Sequence, residues 1–148
     1  MDYSFVVPLA VAAILGAILG IDRSVAGKHA GMRTYALVSM GSALFVVIGL
    51  AASQQLAGLF PGANPLTIAS NVVVAIGFLG AGLTVFRGDH PVELTTAAGL
   101  WVSAGVGMAV GFNFYMAAFA TVILSLLIFS VLLPIENWVR RQWGREND

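Results

Sequence analysis

The sequence predicts an all-α integral membrane bundle of five transmembrane helices, with the N-terminus outside and the C-terminus in the cytoplasm. Three observations lead there. Hydrophobic residues make up 59% of the 148-residue chain and charged residues only 9%, with a mean hydropathy of +0.92, whereas about a quarter of the residues of a water-soluble domain are charged. Apolar runs close to the roughly 20 residues that cross a bilayer recur along the chain. When these runs are taken as spans, all seven Lys and Arg residues fall into alternate connecting segments, as the cytoplasmic excess of basic residues requires.

The first span, about Phe5–Ile21, lies in MDYSFVVPLAVAAILGAILG. That stretch has no basic n-region and is longer than a signal-peptide core, so it reads as a retained helix. Ala12, Gly16 and Gly20 form a small-residue stripe along it, the kind of face that lets two backbones approach in lipid. The loop GIDRSVAGKHAGMRT then carries Arg23, Lys28 and Arg33 and is assigned to the cytoplasm. A second span, about Thr34–Ala52, leads to the Pro-bounded outer segment SQQLAGLFPGANP. In the third, about Thr67–Phe86, Ser70, Gly77, Ala81 and Thr84 form another stripe, and Asn71 sits one turn inside the outer end. An amide at that depth is expected to bond across to another helix.

Arg87 marks the second inner loop, RGDHPVELTT, where Asp89, His90 and Pro91 suggest a turn and Thr95 or Thr96 a cap for the next helix. The fourth span, about Thr95–Phe112, has Thr96, Gly99, Ser103, Gly107 and Gly111 at helical spacing. GFNF joins it so tightly to the fifth, about Phe114–Leu133, that the two are antiparallel neighbours. The fifth lacks glycine, and TVILSLLIFSVLL reads as lipid-facing. Spans one, three and four are therefore expected in mutual contact, with the fifth outside. After Pro134, IENWVRRQWGREND sets Trp138 and Trp143 among arginines, as an interfacial helix does. The chain thus divides into a transmembrane domain, residues 1–134, and a short cytoplasmic interfacial tail, residues 135–148.

Several functional classes are disfavoured by the residues. There is no cysteine, and Gly27-Lys28 is followed by His29 rather than the hydroxyl residue of a phosphate-binding loop. Asp89, His90 and Glu93 would make a poor magnesium cage, because that ion prefers all-oxygen octahedral ligation. No catalytic constellation, metal site or cofactor is expected, and no acidic residue lies near the middle of a span. What stands out is Asp22 beside Arg23 at the end of the first span, where a partly dehydrated charge network with Arg33 or Arg87 could close the helices.

Three stretches together resemble the membrane domain of the MgtC/SapB family: GAILGIDRSVAGKHAGMRTYALVSMGSALF, AIGFLGAG and LTTAAGLWVSAGVGMAVG. The family's Gly-Leu-Glu-Arg is matched by Gly20-Ile21-Asp22-Arg23, and its Ala-Gly-Leu-Arg-Thr by Ala30-Gly31-Met32-Arg33-Thr34. Asn64-Pro65-Leu66-Thr67-Ile68-Ala69 departs from the family's Asp-Pro-x-Arg-Ile-Ala by losing both charges. The soluble regulatory domain that many members carry after the last span is not expected in this chain. The resemblance implies a multi-pass protein of the bacterial inner membrane, tied to growth in low magnesium and, in intracellular pathogens, to virulence. It further implies a non-enzymatic modulator of ion or membrane-energy homeostasis, with the F-type ATP synthase as a candidate membrane partner. A small oligomeric cation channel or transporter is the alternative. Expected partners are membrane lipid, further copies of the chain and a membrane protein, with no nucleic acid. Asp22, Arg23, Arg33, Thr34, Asn71 and Arg87 are the candidate polar or charge network. Gly16, Gly20, Gly77, Gly80, Gly82, Gly99, Ser103, Gly107 and Gly111 are the candidate packing positions.

Overall fold

The computed structural model describes residues 5–59, 62, 64–87 and 90–143. Five helices, each long and apolar enough to cross a membrane, run in the order α1 (Val6–Val25), α2 (Met32–Gln55), α3 (Leu66–Leu83), α4 (Leu94–Gly111) and α5 (Tyr115–Trp143). Between α3 and α4, β1 (Val85–Arg87) and β2 (His90–Val92) pair antiparallel, with Val85 opposite Val92 and Arg87 opposite His90. The third helix therefore ends before Phe86. At Thr84 the backbone turns extended, with ψ 105°, while its hydroxyl donates back to the Gly80 carbonyl at 3.1 Å. At the other end of the ladder, Glu93 takes φ 66° immediately before α4.

Two tight connections have the same local cause. At the end of α1, Gly27 adopts φ +66°, Lys28 N–H donates to the Arg23 carbonyl at 2.9 Å and Gly27 N–H to the Ser24 carbonyl at 3.1 Å. At the end of α4, Asn113 adopts φ 64°, with Phe114 N–H on the Ala109 carbonyl at 2.7 Å and Asn113 N–H on the Val110 carbonyl at 2.9 Å. Each is a left-handed C-terminal cap that satisfies helix-end carbonyls and reverses the chain. Glycine, or asparagine with its short polar side chain, is what that backbone tolerates. The α4–α5 reversal expected at GFNF is built this way.

Packing places α2, rather than α3, at the centre. The most extensive helix contacts are α1 with α2 and α2 with α4; α1 and α4 also touch, whereas α1 and α3 do not form a packed pair among the described residues. The reason lies in where each small-residue stripe finds a partner. A Cβ added at Gly16 would lie 2.5 Å from the Tyr35 carbonyl oxygen and 3.0 Å from Ala36 Cα. At Gly20 it would lie 2.6 Å from Met32 Cα, and at Gly111 2.9 Å from the Ala43 carbonyl oxygen. At Gly107 it would lie 2.7 Å from the Ser39 carbonyl carbon. Gly99 leaves the space filled by the Tyr35 hydroxyl and Phe129, and Ser103 is fully buried beside them. By contrast, a Cβ at Gly77 or Gly82 meets nothing within 4 Å, and one at Gly80 touches only Ala97, at 3.8 Å or beyond. Two of the three third-span glycines thus differ from the sequence expectation: α3 rests on its neighbours through Val72 and Ile76, which face Ala104, Met108 and Val38, with Gly80 one turn further along that face, while Gly77 and Gly82 lie on other faces. Only 11% of the α3 span is buried, against 50% of α4.

Helix α5 lies on the outside, as its composition suggested. Ala118, Val122, Ser125 and Phe129 form its buried edge, while Phe119, Ile123, Leu124, Leu127 and Ile128 are exposed, as suits a helix surrounded by lipid on most sides. It does not stop at Pro134 but continues through it to Trp143. At 29 residues the helix is about 43 Å long, more than the roughly 30 Å hydrocarbon layer needs.

Candidate functional site

Charged and hydrogen-bonding side chains gather where α1 ends, α2 and α4 begin and the last turns of α5 pass over them. Arg23 faces inward because it continues the buried face Ala12, Leu15, Gly16, Leu19, Gly20 at helical spacing. Although it is 7% exposed, two interactions compensate its burial. Its Nε donates to Asp22 Oδ2 at 3.1 Å and its Nη2 donates to the same oxygen. Its guanidinium carbon lies 4.2 Å from the centre of the Phe129 ring, a favourable cation–aromatic geometry.

A second set of contacts runs from the surface into the core. Lys28 Nζ donates to Glu93 Oε1 at 3.3 Å, and Thr96 Oγ1 donates to Glu93 Oε2 at 2.6 Å. Thr96 in turn offers its backbone carbonyl to the Tyr35 hydroxyl at 2.9 Å, and the Tyr35 carbonyl accepts from Ser103 Oγ at 2.8 Å. This ladder ties the loop after α1 and the first turn of α2 to the start and the middle of α4. Thr96 consequently serves as a donor to Glu93; no side chain caps the α4 N-terminus. The hydrogen bond from Thr96 holds the Glu93 carboxyl below its ordinary pKa, with Lys28 acting in the same direction and partial burial opposing both. Deeper in the bundle, Ser39 Oγ is buried without a hydrogen-bond partner among the described residues.

Between these groups lies a cavity of about 380 Å³. Arg23, Lys28, Glu93, Thr96 and Glu136 contribute its polar lining, and Ile128, Phe129, Leu132 and Leu133 its apolar wall. Asp22 faces a different recess, between α1 and α5, beside Ile18, Leu126 and Ser130.

The other sequence candidates are distributed elsewhere. Arg33 is exposed on the first turn of α2, and the ion pair recorded for Asp22 is with Arg23; Tyr35 and Ser39 define the inward face of α2, so Arg33, two residues before Tyr35, points away. Thr34 lines a separate groove of about 460 Å³ between α2 and α3. Asn71 is exposed on α3, one residue from the inward-facing Val72, and none of the recorded side-chain hydrogen bonds is an interhelical bond from its amide. Asp89 and the side chains of Arg87 and His90 lie outside the described residues. Lys28, Tyr35, Thr96 and Phe129 were not among the sequence candidates. A tyrosine at the start of an apolar run carried a signal, because a buried phenol requires a partner, but that partner is a carbonyl on a helix 61 residues away.

The MgtC family model matches residues 9–138. The chain belongs to the MgtC family. It is 38% identical over 132 residues to "Putative magnesium transporter YhiD" of Escherichia coli K12, covering 88% of this chain and 61% of that protein. Protein SrpB of Synechococcus elongatus is 34% identical over 148 residues, covering 93% of this chain and 80% of SrpB. Protein MgtC of Salmonella typhimurium is 36% identical over 131 residues, covering 88% of this chain and 53% of MgtC. This MgtC-family chain therefore spans less than two thirds of the length of YhiD and of MgtC. No solved structure matches it. Five apolar helices and family membership make it a multi-pass membrane protein.

Proposed function

We propose that this MgtC-family protein is a non-enzymatic modulator of ion or membrane-energy homeostasis under magnesium limitation. It acts in the bacterial inner membrane, through its charged end, on a membrane partner such as the F-type ATP synthase. The observation that supports this reading is the distribution of polar groups. The charged groups Asp22, Arg23, Lys28, Glu93 and Glu136 converge on one end of the bundle, while the centre is closed by backbone-to-backbone packing of α4 on α2 at Gly107 and Ser39. An ion would meet Leu19, Val46, Leu100 and Val106, all buried, in place of a continuous row of ligands. A site at the end of a bundle suits contact and regulation better than conduction by one chain. The basic residues of its loops support a cytoplasmic position for that end under the positive-inside rule.

The test is reconstitution of the purified chain in sealed vesicles, alone and with F-type ATP synthase. The expected result is no magnesium or proton flux from the chain alone, together with reduced ATP-driven proton pumping when both are present. Unchanged pumping would reject the ATP synthase as partner. Ion flux from the chain alone would favour the second reading, transport by an assembly of several copies. The uncontacted Gly41 in the α2–α3 groove, together with the uncontacted Gly77 and Gly82 on α3, supplies a surface for such an assembly, and the name of YhiD points to transport by that relative.

A further inference from the structure

We propose that the 380 Å³ cavity at the charged end is a phospholipid site that selects a zwitterionic headgroup carrying a phosphate and a primary ammonium, as in phosphatidylethanolamine. The inference requires no partner protein and stands or falls separately from the regulatory reading.

Both signs of charge line the cavity: Arg23 and Lys28 on one hand, Glu93 and Glu136 on the other. A headgroup with both charges can set its phosphate against Lys28 and Arg23 and its ammonium against Glu93, whereas an anionic headgroup meets the Glu93 carboxylate and a bare cation meets the two basic groups. The donors suit a phosphate. Asp22 occupies Nε and Nη2 of Arg23, while no acceptor is recorded for Nη1 among the described residues, and Arg23 lines the cavity. Leu94, Thr95 and Thr96 bring the uncapped N-terminus of the 18-residue α4 to the same place, where first-turn amides and the helix dipole favour an anion. Carboxylates accept hydrogen bonds from a primary ammonium and have none to accept from a quaternary one.

The remaining wall identifies the molecule as a lipid. Ile128, Leu132 and Leu133 line the cavity and are also 52–59% exposed on the outer face of α5, so the polar recess opens directly onto a surface made for acyl chains. A headgroup held by Arg23 and Glu93 would leave its glycerol ester at that edge. The Lys28–Glu93 contact is long, at 3.3 Å, and Lys28 is 38% exposed at its side chain. A phosphate between Lys28 and Arg23 can replace it.

The experiment is native mass spectrometry of the delipidated full chain titrated with dioctanoyl phosphatidylethanolamine, phosphatidylcholine, phosphatidylglycerol and the chain-free glycerophosphoethanolamine. Phosphatidylethanolamine is expected to bind about tenfold more tightly than phosphatidylcholine or phosphatidylglycerol, the factor appropriate to one charge-assisted hydrogen bond. Glu93→Gln should erase that preference, and Lys28→Met should weaken both zwitterionic lipids. Ile128→Trp, on the half-exposed wall of the cavity and at a side chain with no hydrogen bond of its own, should reduce binding while leaving the fold intact, which covers the case in which a charge variant fails to fold. Equal binding of the three lipids, preference for phosphatidylglycerol, or indifference to Ile128→Trp would overturn the proposal. So would glycerophosphoethanolamine binding as tightly as the lipid, since the site would then belong to a soluble phosphate ester.

Discussion

Replacing Gly107 by alanine tests the packing at the centre of the bundle with a single methyl group. The added Cβ would lie 2.7 Å from the Ser39 carbonyl carbon and 2.9 Å from Ser39 Cα. These are backbone atoms in the middle of a helix, so no rotamer change can relieve the overlap. Restoring ordinary carbon contacts of about 3.5 Å requires α2 and α4 to separate locally by at least roughly 0.8 Å, and by more for the Ser39 carbonyl oxygen, which is the nearest atom of all. Overpacking of this kind costs about 1–3 kcal/mol. The same separation would stretch the 2.8 Å bond from Ser103 Oγ to the Tyr35 carbonyl, one turn away, which adds about 0.6 kcal/mol on the membrane average. Better helix propensity returns about 0.5–1 kcal/mol, leaving a net loss of roughly 1–3 kcal/mol. Gly105→Ala is the control, because its Cβ meets nothing within 4 Å on the same helix and receives the propensity gain alone. Reversible unfolding in bicelles should rank the proteins Gly105→Ala, wild type, Gly107→Ala in decreasing stability. Equal stability of the two alanine variants would refute the close approach of α2 and α4.

Three further outcomes follow from the charged end and from α3. Asp22→Asn removes the carboxylate that pairs with the 7%-exposed Arg23; because Asp22 is itself 32% exposed at its side chain, the expected loss is roughly 1–3 kcal/mol rather than the full cost of breaking a buried pair. Unfolding measurements on Asp22→Asn, Arg23→Met and the double variant should show the double recovering part of that loss, and simple additivity would contradict the pairing. For Glu93, whose carboxyl is held below its ordinary value by Thr96 and Lys28, the stabilising contribution is complete above the unfolded-state pKa and declines as pH falls through the lowered folded one. An acid titration of stability should therefore fall across that window in wild type and less steeply in Glu93→Gln; identical profiles would count against the ladder. Gly77→Leu and Gly82→Leu should leave monomer stability within about 0.5 kcal/mol, since each Cβ has open space. Any loss of crosslinked oligomer in vesicles would then report contacts between copies, and a collapse of the monomer itself would show that α3 is packed differently.

How much of this was legible beforehand depended on whether the relevant physics is local. Transfer of an apolar segment into lipid depends on that segment's own residues, so the five spans can be read from hydropathy to within a few residues. The reversal between α4 and α5 is equally local, since the short GFNF link leaves no other path and Asn113 takes the left-handed backbone. The cap expected from Thr95 or Thr96, by contrast, is not made, because Thr96 donates to Glu93. Rotation and partner choice are not local. Stripes on the first, third and fourth spans looked alike, yet Gly16, Gly20, Gly107 and Gly111 meet backbone and Gly77 and Gly82 meet nothing.

Sequence alone determined that the chain belongs in a membrane, that it has five apolar spans in this order, and that its basic residues share alternate loops. Only the tertiary structure decided that α2 is the hub, that Arg23 turns inward beneath Phe129, and that Glu93 joins Lys28 to Thr96 across 65 residues of sequence. The physical reason is that lipid solvates every apolar helix face nearly equally. Insertion therefore follows from composition, whereas the choice of facing surface depends on close contacts and hydrogen bonds that exist only once the helices have met.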